Sequence, residues 1–367
     1  MREGWKIKTW EQVLEIRSGR NQKDVLNPDG KYPILGSAGK VMGYADSYLC
    51  EEGTTIVGRK GTIDKPLYIE TKFWNVDTAF GLVAGESLDN KFLYNFCLSY
   101  DFRSLDKGTT LPSLVKKDLV KIQIPIPPLS EQKQIVAILN KAFIAIDKAK
   151  ANIEKNIVNA KELFQSKLNE IFSQKGEGWE EKKLGELGKV SMCKRILKKQ
   201  TATSGDIPFY KIGTFGKTPN AFIDNDIYQE FKEKYSFPKK GDILISASGT
   251  IGRRVVYDGE PAYFQDSNIV WIDNNEDLVL NEYLYQFYGV CDWNPSKGAT
   301  ISRLYNDDLR RIKISFPDKV EQKRLVEKMV KLNDQTQTIN IGYLQKLKNL
   351  IELKKSILQK AFSGELT

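Results

Sequence analysis

The chain has 367 residues, of which 41% are hydrophobic and 28% are charged, and it carries a net charge of +9. This length predicts two or three domains with substantial cores, and the composition excludes a disordered tail. We find no run of the roughly 18 apolar residues that a membrane span requires, and the first residues lack the apolar core of a signal peptide.

The sequence contains no histidine. This excludes Ser–His and Cys–His nucleophile pairs and any histidine metal ligand, so an enzyme of this composition would depend on carboxylates or lysine. The four cysteines lie far apart and form no CxxC pair, which favours free thiols in a reducing cytoplasm over disulfides or a zinc site. The basic balance favours a nucleic-acid partner. Most of the excess lies in two segments that we predict to be helical, so a DNA-binding surface requires local clustering.

Residues 1–130 form the first predicted domain. They are rich in glycine and aromatic residues, and short β-branched runs such as 54–57 are separated by Gly, Pro, Asn and Asp. These runs predict short strands, with a helix near residues 88–100, and therefore a compact α+β domain.

Residues 131–173 form a predicted long helix. The stretch 125–128 contains three prolines and cannot remain helical, and Ser130 is the expected N-cap. No Pro or Gly occurs from 131 to 172, and apolar residues recur at spacings of three and four. The expected buried stripe consists of Ile135, Leu139, Ala142, Ile146, Ala149, Ile153, Ala160 and Leu163.

Residues 174–318 form a second predicted α+β domain, with strands near 241–245 and 268–272 and a helix near 281–288. Residues 319–367 form a second long helix, which Gly342 interrupts. Its expected stripe consists of Met329, Leu332, Ile339, Tyr343, Leu347, Leu350, Ile357 and Ala361. A helix with one apolar stripe needs a partner, so we expect the two helices to pair as an antiparallel coiled coil of roughly 60 Å.

The chain is a tandem repeat. The segment KGTTLPSLVKKDLVKIQIPIPPLSEQKQIV at 107–136 recurs as KGATISRLYNDDLRRIKISFPDKVEQKRLV at 297–326, with a constant offset of 190 residues. The GTI sequence at 61–63 recurs at 249–251, and Trp5 corresponds to Trp179. The expected fold is therefore α+β, with two globular domains separated by two long helices and related by pseudo-two-fold symmetry. In this arrangement the two chain ends lie close together, because both copies then have equivalent surroundings.

These repeated motifs resemble the specificity subunit of type I restriction-modification enzymes. The resemblance covers essentially the whole chain and rests on the KGTT…PPLSEQ element with its long helix, on KKSILQKAFSGEL at the end of the second helix, and on the turns GRKGTI and SGTIG. The second copy departs from the pattern, because residues 316–320 replace the PPLS stretch. The resemblance implies target recognition domains, each of which binds half of a split double-stranded DNA site.

The family also implies partners. Two methyltransferase subunits dock on the helices, which set the distance between the half-sites, and a restriction subunit that translocates DNA can join them. The S-adenosylmethionine cofactor belongs to the methyltransferase, so the resemblance implies no cofactor and no catalytic residue in this chain. The two domains differ in their candidate contacts, which predicts an asymmetric site.

Glycine turns beside basic residues are the candidate DNA contacts, because backbone amides can approach phosphates there while Arg and Lys reach base edges. In the first domain the candidates are Arg17, Arg20, Arg59, Lys60, Thr62, Lys107, Thr109 and Thr110. In the second domain they are Arg195, Lys211, Ser248, Thr250, Arg253, Arg254, Lys297 and Arg303. The alternative is that each of these residues lies in an ordinary solvated surface turn and does not contact DNA.

Apolar residues that lie off the predicted stripes are the candidates for methyltransferase docking. They are Val136, Ile144, Phe164, Leu325 and Leu344. Two segments resemble catalytic motifs but do not match them. Asp318 and Glu321 are too close together in the sequence for a nuclease site, and residues 36–41 lack the spacing of a phosphate-binding loop. The competing interpretation is a coiled-coil adaptor with two protein-binding domains and no DNA contact.

Overall fold

The computed structural model describes residues 3–294 and 302–366. The chain divides into two compact units, one formed by Met1–Lys155 with Tyr343–Thr367 and the other by Asn156–Gly342. Each unit contains one globular domain together with part of each long helix. The boundary between the units therefore falls within each long helix. The division predicted from the sequence instead treats each helix as a segment separate from the domains.

The globular part of the first unit is built from short strands and three short helices. Its strands are β1 Lys6–Thr9, β2 Leu14–Ser18, β3 Tyr32–Leu35, β4 Val41–Ala45, β5 Thr54–Gly58, β6 Leu67–Ile69, β7 Trp74–Asn75, β8 Ala79–Ala84 and β9 Gln123–Ile126. Its helices are α1 Trp10–Val13, α2 Asn90–Ser99 and α3 Lys116–Leu119, and α4 Leu129–Phe172 begins in this unit. Strands pair in the orders β2-β8-β5-β6 and β4-β3-β7, and β1 pairs with β9. The main core surrounds Trp10, which is fully buried.

The globular part of the second unit repeats this topology. Its strands are β10 Glu180–Lys183, β11 Gly188–Ser191, β12 Ile207–Tyr210, β13 Phe222–Ile223, β14 Ile243–Ser246, β15 Arg254–Val256, β16 Tyr263–Phe264, β17 Ile269–Asn274 and β18 Lys313–Phe316. Its helices are α5 Leu184–Leu187, α6 Asn225–Lys234, α7 Asn281–Tyr288 and α8 Asn306–Arg311, and α9 Lys319–Ser363 begins in this unit. The orders β11-β17-β14-β15, β13-β12-β16 and β10-β18 match those of the first unit. The duplication inferred from the sequence is therefore confirmed.

Helix α4 begins two residues earlier than the sequence predicted, whereas α9 begins at the predicted residue 319. Helix α4 starts at Leu129, and the backbone amides of Glu131 and Gln132 both donate to the Pro128 carbonyl at 2.9 and 3.0 Å. Ser130 thus lies inside the first turn, and the prediction that it is the N-cap is wrong. Helix α9 starts at Lys319 and continues through Gly342, so the predicted interruption is also wrong.

The two long helices pair within each unit. In the first unit Leu139 of α4 shares a core with Leu358 and Ala361 of α9, and Asp147 lies 3.6 Å from the Lys354 ammonium. Residue numbers rise along α4 as they fall along α9, so the helices run antiparallel there. In the second unit Leu168 and Ile171 near the end of α4 share a core with Leu325 and Met329 near the start of α9. The predicted antiparallel pairing is confirmed.

The buried face of each helix differs in part from the predicted stripe. Leu163 and Ile339 are 59% and 49% exposed, although both were expected to be buried. Val136 and Leu325, which were expected off the stripe, are only 8% and 3% exposed, and Phe164 packs against the second core. Near a globular domain a helix is covered both by the domain and by the other helix, so its buried face is wider than a heptad stripe.

The end of each long helix packs on the domain that precedes the other helix. Phe362 of α9 packs on Phe92 and Phe96 of α2, with ring centroids 5.1 and 5.3 Å apart. In the second unit the ring of Phe172 lies 5.0 and 5.5 Å from those of Tyr283 and Phe287. The expected closeness of the chain ends is supported in the first unit, where Trp5 and Leu366 belong to the same core. Met1 and Thr367 lie outside the described residues.

A buried glutamine joins the start of each long helix to its globular domain. The Gln132 side-chain amide donates to the carbonyls of Ser87 and Pro127, both at 2.9 Å, and its oxygen accepts from the Asp89 backbone amide at 2.7 Å. The side chain thus bonds three backbone groups at the junction between helix and domain, and Gln132 itself has no exposed surface.

The second repeat contains the same arrangement at Gln322. Its amide donates to the carbonyls of Leu278 and Pro317 at 2.8 Å, and its oxygen accepts from the Leu280 backbone amide at 2.9 Å. Both glutamines lie within the first helical turn of α4 or α9, so they orient each helix against its domain.

All four cysteines are free thiols, and Cys50, Cys97 and Cys193 are buried. Burial raises the pKa of Cys50 to about 11 and that of Cys193 to about 12. In the part of the chain that the structure describes, no cluster of three or more acidic, cysteine or histidine side chains could hold a metal ion. None of the described helices is long and apolar enough to span a membrane.

We expect Cys50 and Cys193 to resist alkylation in the folded chain. A thiol whose pKa lies well above 9 carries little thiolate at pH 8, and burial also blocks the reagent. Iodoacetamide labelling at pH 8, followed by mass spectrometry of peptides, should show modification of these positions only after urea is added. Rapid labelling of either cysteine without denaturant would contradict the buried placement.

Candidate nucleic-acid interface

Two loops of the first unit pair and bring the predicted basic residues together. The Gly61 amide donates to the Pro112 carbonyl at 2.9 Å, and the Leu114 amide donates to the Arg59 carbonyl at 2.9 Å. An isolated β-bridge joins Lys60 to Ser113. This pairing places the turn 58–62 beside the loop 106–113, and we call the two segments together the first loop cluster.

Backbone geometry explains why both loops contain glycine. Gly61 has a φ of +81°, in the left-handed region that side chains disfavour. At Gly108 a Cβ would lie 1.7 Å from the Leu111 carbonyl oxygen, so only glycine fits that close approach. The Asp106 carboxylate accepts from the Gly108 and Ser113 amides at 2.8 Å, which lowers its pKa and folds the loop back. Lys107, Thr109 and Thr110 are then exposed at its surface.

The second unit shows the same backbone pairing. An isolated β-bridge joins Ser248 to Arg303, and the Leu304 amide donates to the Ala247 carbonyl at 2.9 Å. These contacts correspond to those of Lys60 with Ser113 and of Leu114 with Arg59. The loop arrangement is therefore common to both repeats, although the side chains that it presents differ.

A basic cleft of about 380 Å³ lies beside this pairing in the second unit. Its charged lining residues are Arg195, Lys198, Lys211, Asp266 and Arg303. Four cations and one carboxylate therefore face the same space, and Gln265 and Asn268 add amide groups. We call this space the basic cleft.

The turn 265–268 forms one wall of the basic cleft and is held on several sides. The Gln265 side-chain oxygen accepts from the Ile212 amide at 2.9 Å, and Asn268 accepts from the Ser248 hydroxyl at 2.7 Å. Arg303 donates to the Ser267 carbonyl at 3.3 Å. These bonds hold the wall in place before any ligand arrives.

Several predicted DNA contacts also have partners within the protein. Arg17 pairs with the Glu15 carboxylate at 3.0 Å, and this hydrogen bond raises the pKa of Arg17. Arg253 donates to the Phe215 carbonyl at 2.9 Å, and Arg254 stacks over the ring of Tyr285, 4.2 Å from its centroid. Arg253 and Arg254 are thus tied to neighbouring segments, and Arg17 pairs with an acid within its own strand.

The remaining candidates lie on loops of the two units and differ in exposure. In the first unit Arg20 and Lys60 are exposed, Thr62 is half-buried, and Arg59 donates to the Asp77 carbonyl at 3.3 Å. In the second unit Thr250 is exposed on the turn that follows Ser248. Lys297 lies outside the described residues.

Sequence reasoning missed most of the lining of the basic cleft, including the polar residues Lys198, Gln265, Asp266 and Asn268. The sequence signal was the short polar run 265–268 between two strands of buried residues, Tyr263–Phe264 and Ile269–Asn274. Such a run indicates a loop, but its position beside Lys211 follows from the parallel pairing of β12 with β16.

Two of the docking candidates are well exposed on the long helices. Ile144 of α4 is 70% exposed and Leu344 of α9 is 60% exposed, and both belong to the first unit. Val136 and Leu325 are core residues, and Phe164 is half-buried against the second core, so these side chains offer little or no surface to a partner. Single exposed apolar side chains are common on protein surfaces, so these two residues remain candidates for docking.

Comparison with known proteins identifies the family. The model described as "Type I restriction modification DNA specificity domain" matches residues 2–159 and 176–357. A putative type I restriction enzyme specificity subunit of Haemophilus influenzae is 44% identical over 346 residues, which cover 91% of this chain and 89% of that protein. The StySPI specificity subunit of Salmonella potsdam is 26% identical over 345 residues, covering 84% of this chain and 73% of the relative.

Solved structures share the fold. A chain from a study of complex assembly and conformational transition of the type I R-M system superposes with a TM-score of 0.79 at 21% identity, covering 100% of this chain and 99% of that one. The HsdS subunit from Thermoanaerobacter tengcongensis gives a TM-score of 0.61 at 21% identity, covering 100% and 98%. From the family match and the Haemophilus relative, we conclude that the chain belongs to the type I restriction-modification DNA specificity family.

Proposed function

We propose that the chain selects the DNA target of a type I restriction-modification complex and has no catalytic role of its own. The first loop cluster and the basic cleft would each bind one half of a split double-stranded site. The observation that carries this proposal is the shared pairing of a glycine turn with a basic loop, seen at Lys60 with Ser113 and at Ser248 with Arg303. A common backbone frame with different side chains suits two domains that read different sequences.

The physical roles divide between backbone and side chains. Exposed amides and cations at glycine turns can bind phosphates, which fixes the register of the protein on the duplex. Side chains in the basic cleft can then reach base edges in the major groove, where each base pair presents a distinct pattern. Because the first loop cluster and the basic cleft present different side chains, the two half-sites should differ.

The chemistry would come from partners. In this proposal two methyltransferase subunits, which carry S-adenosylmethionine, dock on the long helices and methylate adenine, and a restriction subunit that translocates DNA can join them. Ile144 and Leu344 are the exposed apolar residues that best suit this docking. Methyl transfer by the isolated chain would contradict the proposal that catalysis belongs to the partner subunits.

We expect DNA binding to weaken steeply as salt rises. Cations of the first loop cluster and basic cleft would release counterions from phosphates, so the logarithm of the association constant should fall linearly with the logarithm of the salt concentration. Gel shifts of the chain with its methyltransferase partner, at several salt concentrations, measure this slope. Absence of binding even at low salt would favour the adaptor with two protein-binding domains.

We expect helix length to set the gap between the half-sites. Inserting one turn of four residues into both α4 and α9 adds about 6 Å of helix, which corresponds to about two base pairs. Methylation sequencing of a randomised duplex library should then show the same half-sites at a changed separation. An unchanged gap in a folded, active variant would refute this role of the helices.

A further inference from the structure

A single carboxylate lies among the cations of the basic cleft. Asp266 lines the cleft together with Arg195, Lys198, Lys211 and Arg303. A surface that bound only phosphates would gain nothing from this acid, because a carboxylate repels the DNA backbone and reduces the local positive potential.

The cations do not use the Asp266 carboxylate as a partner. Within residues 3–294 and 302–366, no hydrogen bond or ion pair reaches the side-chain oxygens of Asp266. Its backbone carbonyl accepts a hydrogen bond from the Asn268 amide at 2.6 Å. Arg303 donates instead to the neighbouring Ser267 carbonyl, and Lys211 lies over the ring of Phe209. The acid is therefore not explained as a group that orients Arg303 or Lys211.

The backbone around Asp266 is held firmly. Ser267 has a φ of +59°, a conformation that is uncommon for a residue other than glycine. The side chains of Gln265 and Asn268 anchor the turn to Ile212 and Ser248 on two other segments. The anchored turn fixes the backbone from which the Asp266 side chain reaches the basic cleft, and a fixed backbone position favours specific recognition.

The first domain has a comparable acid. Asp77 lies in the turn before β8, as Asp266 lies in the turn before β17, and the two are one position apart under the offset of 190 residues. The Arg59 guanidinium donates to the Asp77 carbonyl, and the side chain of Asp77 is exposed. Both domains thus place an acid beside the basic turn that we propose to contact DNA.

We propose that Asp266 determines one base of its half-site by accepting a hydrogen bond from an exocyclic amino group in the major groove. Cytosine N4 and adenine N6 donate there, whereas guanine O6 and thymine O4 are acceptors that a carboxylate repels. The inference rests on the proposed function of the basic cleft. The Asp266 carboxylate would thus select the base, although its negative charge weakens the attraction between the cleft and the DNA phosphates.

The test compares wild-type and Asp266→Asn chains, each assembled with the methyltransferase partner. A randomised duplex library is methylated and sequenced, and each position is scored for base preference. The wild type should require cytosine or adenine at one position of one half-site, and the library separates these two. In Asp266→Asn, guanine or thymine should become acceptable there, with a loss of discrimination of about 5- to 100-fold.

Two controls localise the effect. Asp226→Asn removes the same charge from the exposed face of α6, away from the cleft lining, and should leave every preference unchanged. Asp77→Asn should leave the half-site of Asp266 unchanged. If Asp266→Asn altered the affinity for DNA equally for all sequences, the carboxylate would affect only the electrostatic attraction to phosphates. That result would overturn the proposal. If the wild-type complex showed no split-site preference, the proposed function itself would fail.

Discussion

Replacing Gln132 by alanine should lower the free energy of unfolding by about 2–4 kcal/mol. The substitution leaves the Asp89 amide and the carbonyls of Ser87 and Pro127 without their buried partner. It also leaves a cavity at a position with no exposed surface. Urea unfolding followed by circular dichroism measures the loss.

Gln134→Ala is the matched control for this change. Gln134 is exposed on the same helix, so its replacement should change the free energy of unfolding by less than about 0.5 kcal/mol. Gln322→Ala should behave like Gln132→Ala, because its three hydrogen bonds are equivalent. Equal stability of Gln132→Ala and Gln134→Ala would show that the buried glutamine does not hold the helix to the domain.

Replacing Arg195 and Lys198 together by glutamine should weaken DNA binding about 10- to 100-fold at low salt. Both side chains are exposed in the basic cleft, so their loss should remove two phosphate contacts without disturbing the fold. Each lost contact should make the slope of log affinity against log salt shallower by about one. Fluorescence anisotropy of the assembled complex, measured over a salt series, gives both quantities.

Arg310→Gln serves as the control for charge. Arg310 is exposed on α8 of the same domain and pairs with Asp307 at 3.0 Å, outside the cleft lining. Its loss should leave affinity and slope nearly unchanged. If the control weakened binding as much as the double variant, the effect would come from net charge and not from the basic cleft.

The architecture followed largely from the sequence. Helices α4 and α9 were predictable because the absence of proline and a sustained three-and-four spacing are local properties of the chain. Their antiparallel pairing followed from the repeat, since each helix comes after its own copy of the domain. The register was less predictable: Leu163 is exposed, and Val136 is buried because the domain surface covers a second face of the helix there.

The interface was predictable only in part. Arg59, Lys60 and Lys107 were predicted as contacts because glycine turns with adjacent basic residues are recognisable in a linear sequence, and the structure pairs the two loops that carry them. Arg17 and Arg254 matched the same pattern, yet Arg17 is paired with an acid and Arg254 is stacked on an aromatic ring. A sequence pattern cannot reveal which arginine finds a partner within the fold.

The sequence by itself determined the duplication, the two long helices, the absence of histidine chemistry and the family resemblance, since these depend on composition, periodicity and motifs. Only the tertiary structure decided which polar groups share the basic cleft. Lys198, Lys211, Asp266 and Arg303 come from separate segments, which the pairing of β12 with β16 and the bridge from Ser248 to Arg303 bring together. Such long-range contacts depend on the packing of the whole domain, and no local pattern encodes them.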